Sequence, residues 1–293
     1  MSMNMVFRVR ERTSFPRPAR DPTSWERVAT WYDGWVGDKG SAYHQGLAIP
    51  AVLDLLQPAR GERILDIGAG QGVLAPHIES RGALYTGIDA SPRLIEIARR
   101  RHRESGRFLV GDSRRLQQIP ALKAASHDAA VFMLSIQDMD PLEPILESVA
   151  WALRAKGRIV ILMTHPSFRQ PRHSGWGFDA SRKLHYRRID AYLTPMAVPM
   201  GTAARGHSWA FHRPISSYVN ALASVGFPVD AMLELPDLPA TRRQRRPPGS
   251  DPRGSGAESE IPLFLALRAA RVQRAPLPAL VHRSAGGGPF SPR

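Results

Sequence analysis

The sequence predicts a doubly wound α/β domain. Three observations carry that expectation: short apolar runs alternate with helix-length segments, the first run ends in a glycine-rich turn, and several runs end in an acid. Runs at 63–67, 84–88, 108–110, 129–134 and 158–163 read as the first five strands. A helical pattern at 73–80 follows the first. Ser91-Pro92 then offers an N-cap with proline at the first helical position, which opens a helix to about residue 102. Asp140-Pro141-Leu142-Glu143 has the form of a capping box, so a helix should run to about 155, with Gly157 at its C′ position. After an irregular stretch come a helix at 216–225 and strands at 229–235 and 261–268. Apolar strands separated by helices imply βαβ units, and hence a mostly parallel, seven-stranded sheet covered on both faces.

The chain has 293 residues, 43% hydrophobic and 23% charged, enough to bury a sizeable core. No apolar run approaches the roughly 18–20 residues of a membrane helix, and the start lacks the apolar core of a secretory signal. Without cysteine there is no disulfide, zinc thiolate or cysteine nucleophile. The expected setting is the cytoplasm.

The net charge of +14 sits mainly at the margins. Residues 1–20 hold five Arg against one Glu, and 268–293 hold five Arg and no acid. Residues 1–20 read as a flexible basic arm, 271–293 as a disordered tail and 237–260 as a mobile loop within a domain spanning 21–270. Only four of the 40 basic residues are Lys, and the Arg, Ala and Pro content is that of a GC-rich coding bias. Basic tails can hold phosphate backbones. Nucleic acid is nevertheless not the expected partner.

In such a sheet, ligands bind beyond the carboxyl ends of the strands. The first strand ends in Asp66-Ile67-Gly68-Ala69-Gly70-Gln71-Gly72. Its glycines permit a tight turn and close backbone approach. The spacing is G-x-G-x-G, and the third glycine of a dinucleotide fingerprint would fall on Val73. Asp66, two residues before the first glycine, suits a ligand ammonium and disfavours a pyrophosphate. Asp89-Ala90 ends the second strand, where a carboxylate can take two ribose hydroxyls. Asp112-Ser113 ends the third, where a carboxylate can accept from an exocyclic amine. Three acids at successive strand ends suit an amino acid, a ribose and an adenine without phosphate.

The ordered segments ILDIGAGQG, GIDAS, GDSRRL, HDAAVFMLSIQDMD and LRAKGRIVILMTHPSFR resemble class I S-adenosylmethionine-dependent methyltransferases, especially the UbiE-like, type 11 small-molecule branch. The resemblance covers about 25–235 and the last strand. It implies a Rossmann-like fold, S-adenosyl-L-methionine as methyl donor and S-adenosyl-L-homocysteine as product. It further implies Asp66 and the segment Gly68, Ala69, Gly70, Gln71 and Gly72 at the methionine part, Asp89 and Ala90 at the ribose, and Asp112 with Ser113 at the adenine. Ser135 would lie beside the cofactor after the fourth strand. Trp31-Tyr32-Asp33 looks like the N-terminal helix that closes over the cofactor, which adds Tyr32, Tyr43 and His44. The chain departs from the family in the long loop before the last strand, where a tight hairpin is usual.

Residues 165–214 read as a cap over the acceptor cavity. Within 165–212 lie five of the ten histidines, together with Phe168, Trp176, Phe178, Tyr186, Tyr192, Trp209 and Phe211. Aromatic walls with a few polar groups suit a small, partly apolar acceptor. Phe168, Arg169, Trp176, Tyr186, Tyr192 and His212 are its candidate contacts, and the same residues could instead form the cap's own core. Methyl transfer from a sulfonium is an in-line displacement to O, N or C that needs mainly proximity and alignment. A base helps a hydroxyl acceptor, and His165 after the fifth strand is the candidate, with His44 and His212 as rivals. No His-x-x-x-His or HExxH spacing points to a metal, so none is expected.

Three other readings stay open. One is an RNA or protein methyltransferase tethered by its basic arms, although Leu134-Ser135-Ile136-Gln137 stands where amino-methylases of nucleic-acid bases carry Asp/Asn-Pro-Pro-aromatic. The others are a nicotinamide-dependent oxidoreductase on the same fold and a non-catalytic cofactor binder. The sequence does not indicate an oligomeric state.

Overall fold

Strand and helix alternate from Arg63 onward in a computed structural model that describes residues 25–202, 206–238 and 257–271. The basic arm, most of the loop expected at 237–260 and the tail beyond 271 lie outside the described residues. Two helices precede the sheet, α1 (Ala29–Val36) and α2 (Ile49–Leu56). Then follow β1 (Arg63–Ile67), α3 (Ala75–Glu79), β2 (Leu84–Asp89), α4 (Pro92–His102), β3 (Arg107–Val110) and β4 (His127–Met133). The chain continues through α5 (Leu142–Ala152) and β5 (Leu153–Thr164). It then forms two hairpins, β6 (Ser174–Asp179) with β7 (Leu184–Ile189) and β8 (Met196–Thr202) with β9 (Gly206–His212). Helix α6 (Ile215–Ser224) leads to β10 (Val229–Leu235), and β11 (Phe264–Ala270) is the last strand.

The main sheet has seven strands in the order β10-β11-β5-β4-β1-β2-β3. β1 to β5 are mutually parallel, whereas β11 runs antiparallel between β5 and β10. The last strand therefore inserts inside the edge strand, and the departure at the preceding loop leaves the sheet complete.

Period-two alternation splits the core into two layers. Ile64, Val131, Val160 and Ala266 face a layer with α2, α3 and α4, which supply Val52, Ile78 and Ile95. Leu65, Phe132, Ile161 and Leu267 face α5 and α6, which supply Ile145, Leu146 and Leu222. The same alternation turns Asp66 to the α2–α4 side, one residue short of the strand end. Both faces are covered, so β1, β4 and β5 read as continuous apolar runs.

Three local expectations are corrected. Helix α5 is capped at Pro141 rather than Asp140 and stops at Ala152, because pairing of Leu153 with His127 draws the following backbone into β5. Gly157 consequently lies inside β5, where an added Cβ would meet the Arg154 carbonyl oxygen at 2.9 Å. The stretch read as irregular holds a pair of two-stranded ribbons. Its strands carry glycine and proline (Gly175, Gly177, Pro199), which mask the alternating pattern that marks a strand.

Candidate cofactor and acceptor site

Gly68, Gly70 and Gly72 all have positive φ (73°, 56° and 82°), the left-handed region that side chains resist. At Gly68 space is forbidding as well, since an added Cβ would lie 2.6 Å from Ser135 Cβ and 2.7 Å from Met139 Cε. The turn is fastened to β2: Gly68 and Ala69 donate to the Ile88 carbonyl at 2.8 and 3.0 Å. Asp89 fixes it from the side, with Oδ2 accepting from Gly70 N–H at 2.9 Å and Oδ1 from Ser91 N–H at 2.8 Å. Burial pushes Asp89 up, and those two N–H groups oppose the shift.

Beneath the turn, Asp66 is 1% exposed. Its Oδ2 accepts from the Tyr85 hydroxyl at 2.6 Å, and its buried Oδ1 has no hydrogen-bond partner among the described residues. Burial raises the carboxyl to about 7, against the Tyr85 hydrogen bond that lowers it. Gln71 links the turn to the end of α1 by donating to the Gly37 carbonyl at 2.8 Å, and its buried Oε1 is likewise without a partner. Such acceptors suit a ligand that brings N–H donors.

Tyr32 on α1 leans over the turn, its Cε1 3.6 Å from where a Cβ on Gly70 would stand. Burial, reinforced by Asp138, Asp89 and Asp66, holds its hydroxyl far above the usual range. Arg101 of α4 holds α1 in place through both oxygens of Asp33 and through Asp38 at 2.8 Å. His44 is buried, bonded to Ser41 Oγ at 2.9 Å and lowered to about 4 by burial. Tyr43 packs on Phe264, and the Arg169 guanidinium lies over both rings at 5.6 and 4.5 Å.

Other expected residues are differently engaged. Asp112 caps the turn Ser113–Gln118 and is gripped by Arg114, Nε at 2.8 and 2.9 Å and Nη2 at 2.6 Å. Burial would raise Asp112, but Arg114 outweighs it and holds the carboxyl low. Ser113 Oγ faces the Met139 sulfur at 3.8 Å, and Ser135 Oγ donates to the Ile67 carbonyl at 2.6 Å. His165 has both ring nitrogens occupied. Ser167 N–H donates to Nδ1 at 3.1 Å, so Nε2 carries the proton toward Glu234 Oε1 at 3.0 Å. With no lone pair to spare, His165 as placed fixes the start of the cap and is not poised as a base.

In the cap, directly paired residues share a face. Trp176, Phe178, His185 and Arg187 lie on one side of the first ribbon, where Arg187 donates to the Phe168 carbonyl at 2.6 Å. Tyr186 is on the opposite side, 49% exposed over Gly177. Tyr192 and His212 engage each other's element: His212 Nε2 bonds the Tyr192 carbonyl at 2.7 Å, and the Tyr192 hydroxyl accepts from Ile215 N–H at 3.0 Å.

Sequence reading missed Tyr85, Met139 and Asp138. Tyr85 was open to inference, because parallel register with β1 places it opposite Ile64, on the face Asp66 shares. Met139 and Asp138 depend on how the chain turns after β4, which no local pattern specifies. Among the described residues no group of three His, Asp or Glu could hold a metal, and no helix is long and apolar enough to cross a membrane.

Residues 65–161 match the family described as "Methyltransferase domain". A ubiquinone biosynthesis O-methyltransferase of Methylocella silvestris is 34% identical over 154 residues, 52% of this chain and 53% of that protein. A demethylmenaquinone methyltransferase of Tropheryma whipplei is 31% identical over 121 residues, 40% of this chain and 48% of that one. The chain thus spans about half the length of these relatives. An S-adenosylmethionine-dependent methyltransferase of Mesorhizobium loti superposes with a TM-score of 0.62 at 26% identity, covering 80% of this chain and all of that one. Residues 65–161 are thus similar to the methyltransferase domain family, and the fold is that of a solved S-adenosylmethionine-dependent methyltransferase.

Proposed function

We propose that this protein transfers a methyl group from S-adenosyl-L-methionine to a small-molecule acceptor by in-line displacement, releasing S-adenosyl-L-homocysteine. The observation that carries this reading is the buried, unpartnered Oδ1 of Asp66 beneath a turn of three left-handed glycines. An acceptor of that kind fits an α-ammonium, and the bare glycine backbone fits a ligand pressed close. Asp66, Gln71 and the Gly68–Gly72 backbone would hold the amino-acid part, and Asp89 the ribose. Ser113 and Met139 would flank the adenine, with Asp112 once Arg114 yields an oxygen. Tyr32 would close the site and exclude water.

The donor, when bound, supplies an activated methyl on a sulfonium. What the chain supplies is alignment, worth up to ~7–11 kcal/mol in well-oriented reactions. The aromatic cap and the relatives, named for ubiquinone and menaquinone steps, favour a small aromatic acceptor. The cytoplasm is the setting we infer.

Calorimetric titration with S-adenosyl-L-homocysteine, run beside NAD, tests the reading. Micromolar binding of the former, abolished by Asp89→Ala, is expected. Binding of NAD alone, or of neither compound, would overturn it.

A further inference from the structure

We infer that Asp138 takes the proton from the methyl acceptor, and that the acceptor atom is therefore an oxygen or nitrogen bearing a proton. The inference rests on the methyltransferase reading above and adds to it a proton-accepting residue and a class of acceptor.

Asp138 ends the short 3-10 turn Ile136–Asp138 that follows β4. Ser135 Oγ ties that turn to the end of β1 through the Ile67 carbonyl, and Asp138 N–H closes it on the Ser135 carbonyl at 2.9 Å. Ser135 and Met139, on either side of the turn, are the two residues that an added Cβ on Gly68 would strike. The turn therefore lies against the glycine cradle.

The acids around this site differ in how they are employed. Asp66 accepts from Tyr85, Asp89 from two backbone N–H groups, and Asp112 is gripped by Arg114. Asp140 is paired with Arg213 at 2.7 Å. Asp138 receives a hydrogen bond from no described residue, although burial drives its carboxyl well above the ordinary range. Gln137 beside it repeats the pattern: its Nε2 donates to the Leu134 carbonyl at 2.6 Å, and its Oε1 is buried without a donor. A half-buried turn that offers these acceptors, with no donor to them among the described residues, suits a ligand that brings O–H or N–H.

The groups that act on Asp138 are few. Tyr32 of α1 and Tyr218 of α6 feel its charge, with Asp89 and Asp66 also acting on Tyr32. From the β9 side, Arg213 is committed to Asp140 and the Met139 carbonyl, and His212 to the Tyr192 carbonyl. At the end of β5, His165 is held by Glu234. Among the described residues no cation is paired with Asp138, so a positive charge arriving in the site would favour its carboxylate.

A lone pair on the acceptor oxygen or nitrogen forms the bond to the methyl carbon as the carbon–sulfur bond breaks, and that electron pair stays on sulfur as a neutral thioether. The acceptor's proton passes to the Asp138 carboxylate and later to solvent. Loss of the sulfonium charge raises the proton affinity of Asp138 at the moment the proton is released.

Two probes test this by calorimetry on the full chain: S-adenosyl-L-homocysteine, neutral at sulfur, and sinefungin, which carries an amine cation in place of the methylsulfonium. Wild-type protein should prefer sinefungin about tenfold where Asp138 is ionised, and the preference should shrink as falling pH protonates it. Asp138→Asn should keep the affinity for S-adenosyl-L-homocysteine and lose most of the preference. A wild type that binds both equally at every pH, or an Asn variant that retains the full preference, would overturn the assignment. If Asp138→Asn fails to fold, Asp138→Ser, which also removes the charge, is read in the same way. Failure of the wild type to bind S-adenosyl-L-homocysteine would instead strike the methyltransferase reading.

Discussion

The hydroxyl of Tyr85 on β2 stands 2.6 Å from Asp66 Oδ2 on β1, and the other carboxylate oxygen is left buried and unpaired. One donor is too few to offset burial, which is why the Asp66 carboxyl rises to about 7. A carboxyl placed this way changes charge near neutral pH, and a ligand cation would favour its ionised form.

Asp66 should therefore make cofactor binding depend on pH. Its ionised form attracts an ammonium, so affinity for S-adenosyl-L-homocysteine should fall by up to about tenfold per pH unit below ~7. In the ligand-free protein the sign reverses. The folded-state value is raised, so the native state holds the extra proton between about pH 4 and 7, and stability should decline as pH rises through that window. Titrations and thermal melts over this range, repeated with Asp66→Asn, check both, and an Asn variant with wild-type pH dependence would refute the assignment.

Tyr85→Phe removes the one donor to Asp66 and leaves the ring packed on Phe108. The midpoint of the binding profile should move upward by about one pH unit, with a stability cost near 1–2 kcal/mol. An unmoved midpoint would show that the hydroxyl does not govern this carboxyl.

Gly68→Ala combines a positive φ with contacts at 2.6 and 2.7 Å. A loss of about 2–4 kcal/mol is expected, together with loss of cofactor binding. Denaturant unfolding measures the first and calorimetry the second. A variant as stable as wild type would mean that the turn adapts freely.

Arg101→Ala should separate site closure from stability. The pairs to Asp33 and Asp38 are partly exposed, so stability should drop by no more than about 1 kcal/mol. Binding of S-adenosyl-L-homocysteine should weaken several-fold, because α1 carries Tyr32. Unchanged affinity would sever α1 from the site.

His165→Ala is expected to act on stability. Its ring joins Ser167, Glu234 and Phe168, so truncation should cost about 2 kcal/mol and leave cofactor affinity unchanged. A fully stable variant that binds the cofactor yet turns over tenfold more slowly would return His165 to the role of base.

Much of the sheet is legible in the chain because its signals are local. Buried strands appear as apolar runs, and the glycine turn announces itself because left-handed backbone demands glycine. The acids Asp66, Asp89 and Asp112 mark strand ends. The segment 165–214 reads as an insertion, but its strands are not legible, because their glycines and proline erase the alternation. Nor could the sequence show that Arg114 grips Asp112 or that Glu234 and Ser167 occupy His165.

By itself, then, the sequence determined the order of elements, the glycine turn and which strands end in acids, since each follows from residue type and period. Tertiary structure decided which acids are already satisfied and which are not. That outcome depends on donors brought from distant segments: Tyr85 reaches Asp66 across a strand pair, Arg213 reaches Asp140 from beyond β9, and no described donor reaches Asp138. A carboxyl's chemistry is set by its neighbours in space, and those neighbours exist only once the chain has folded.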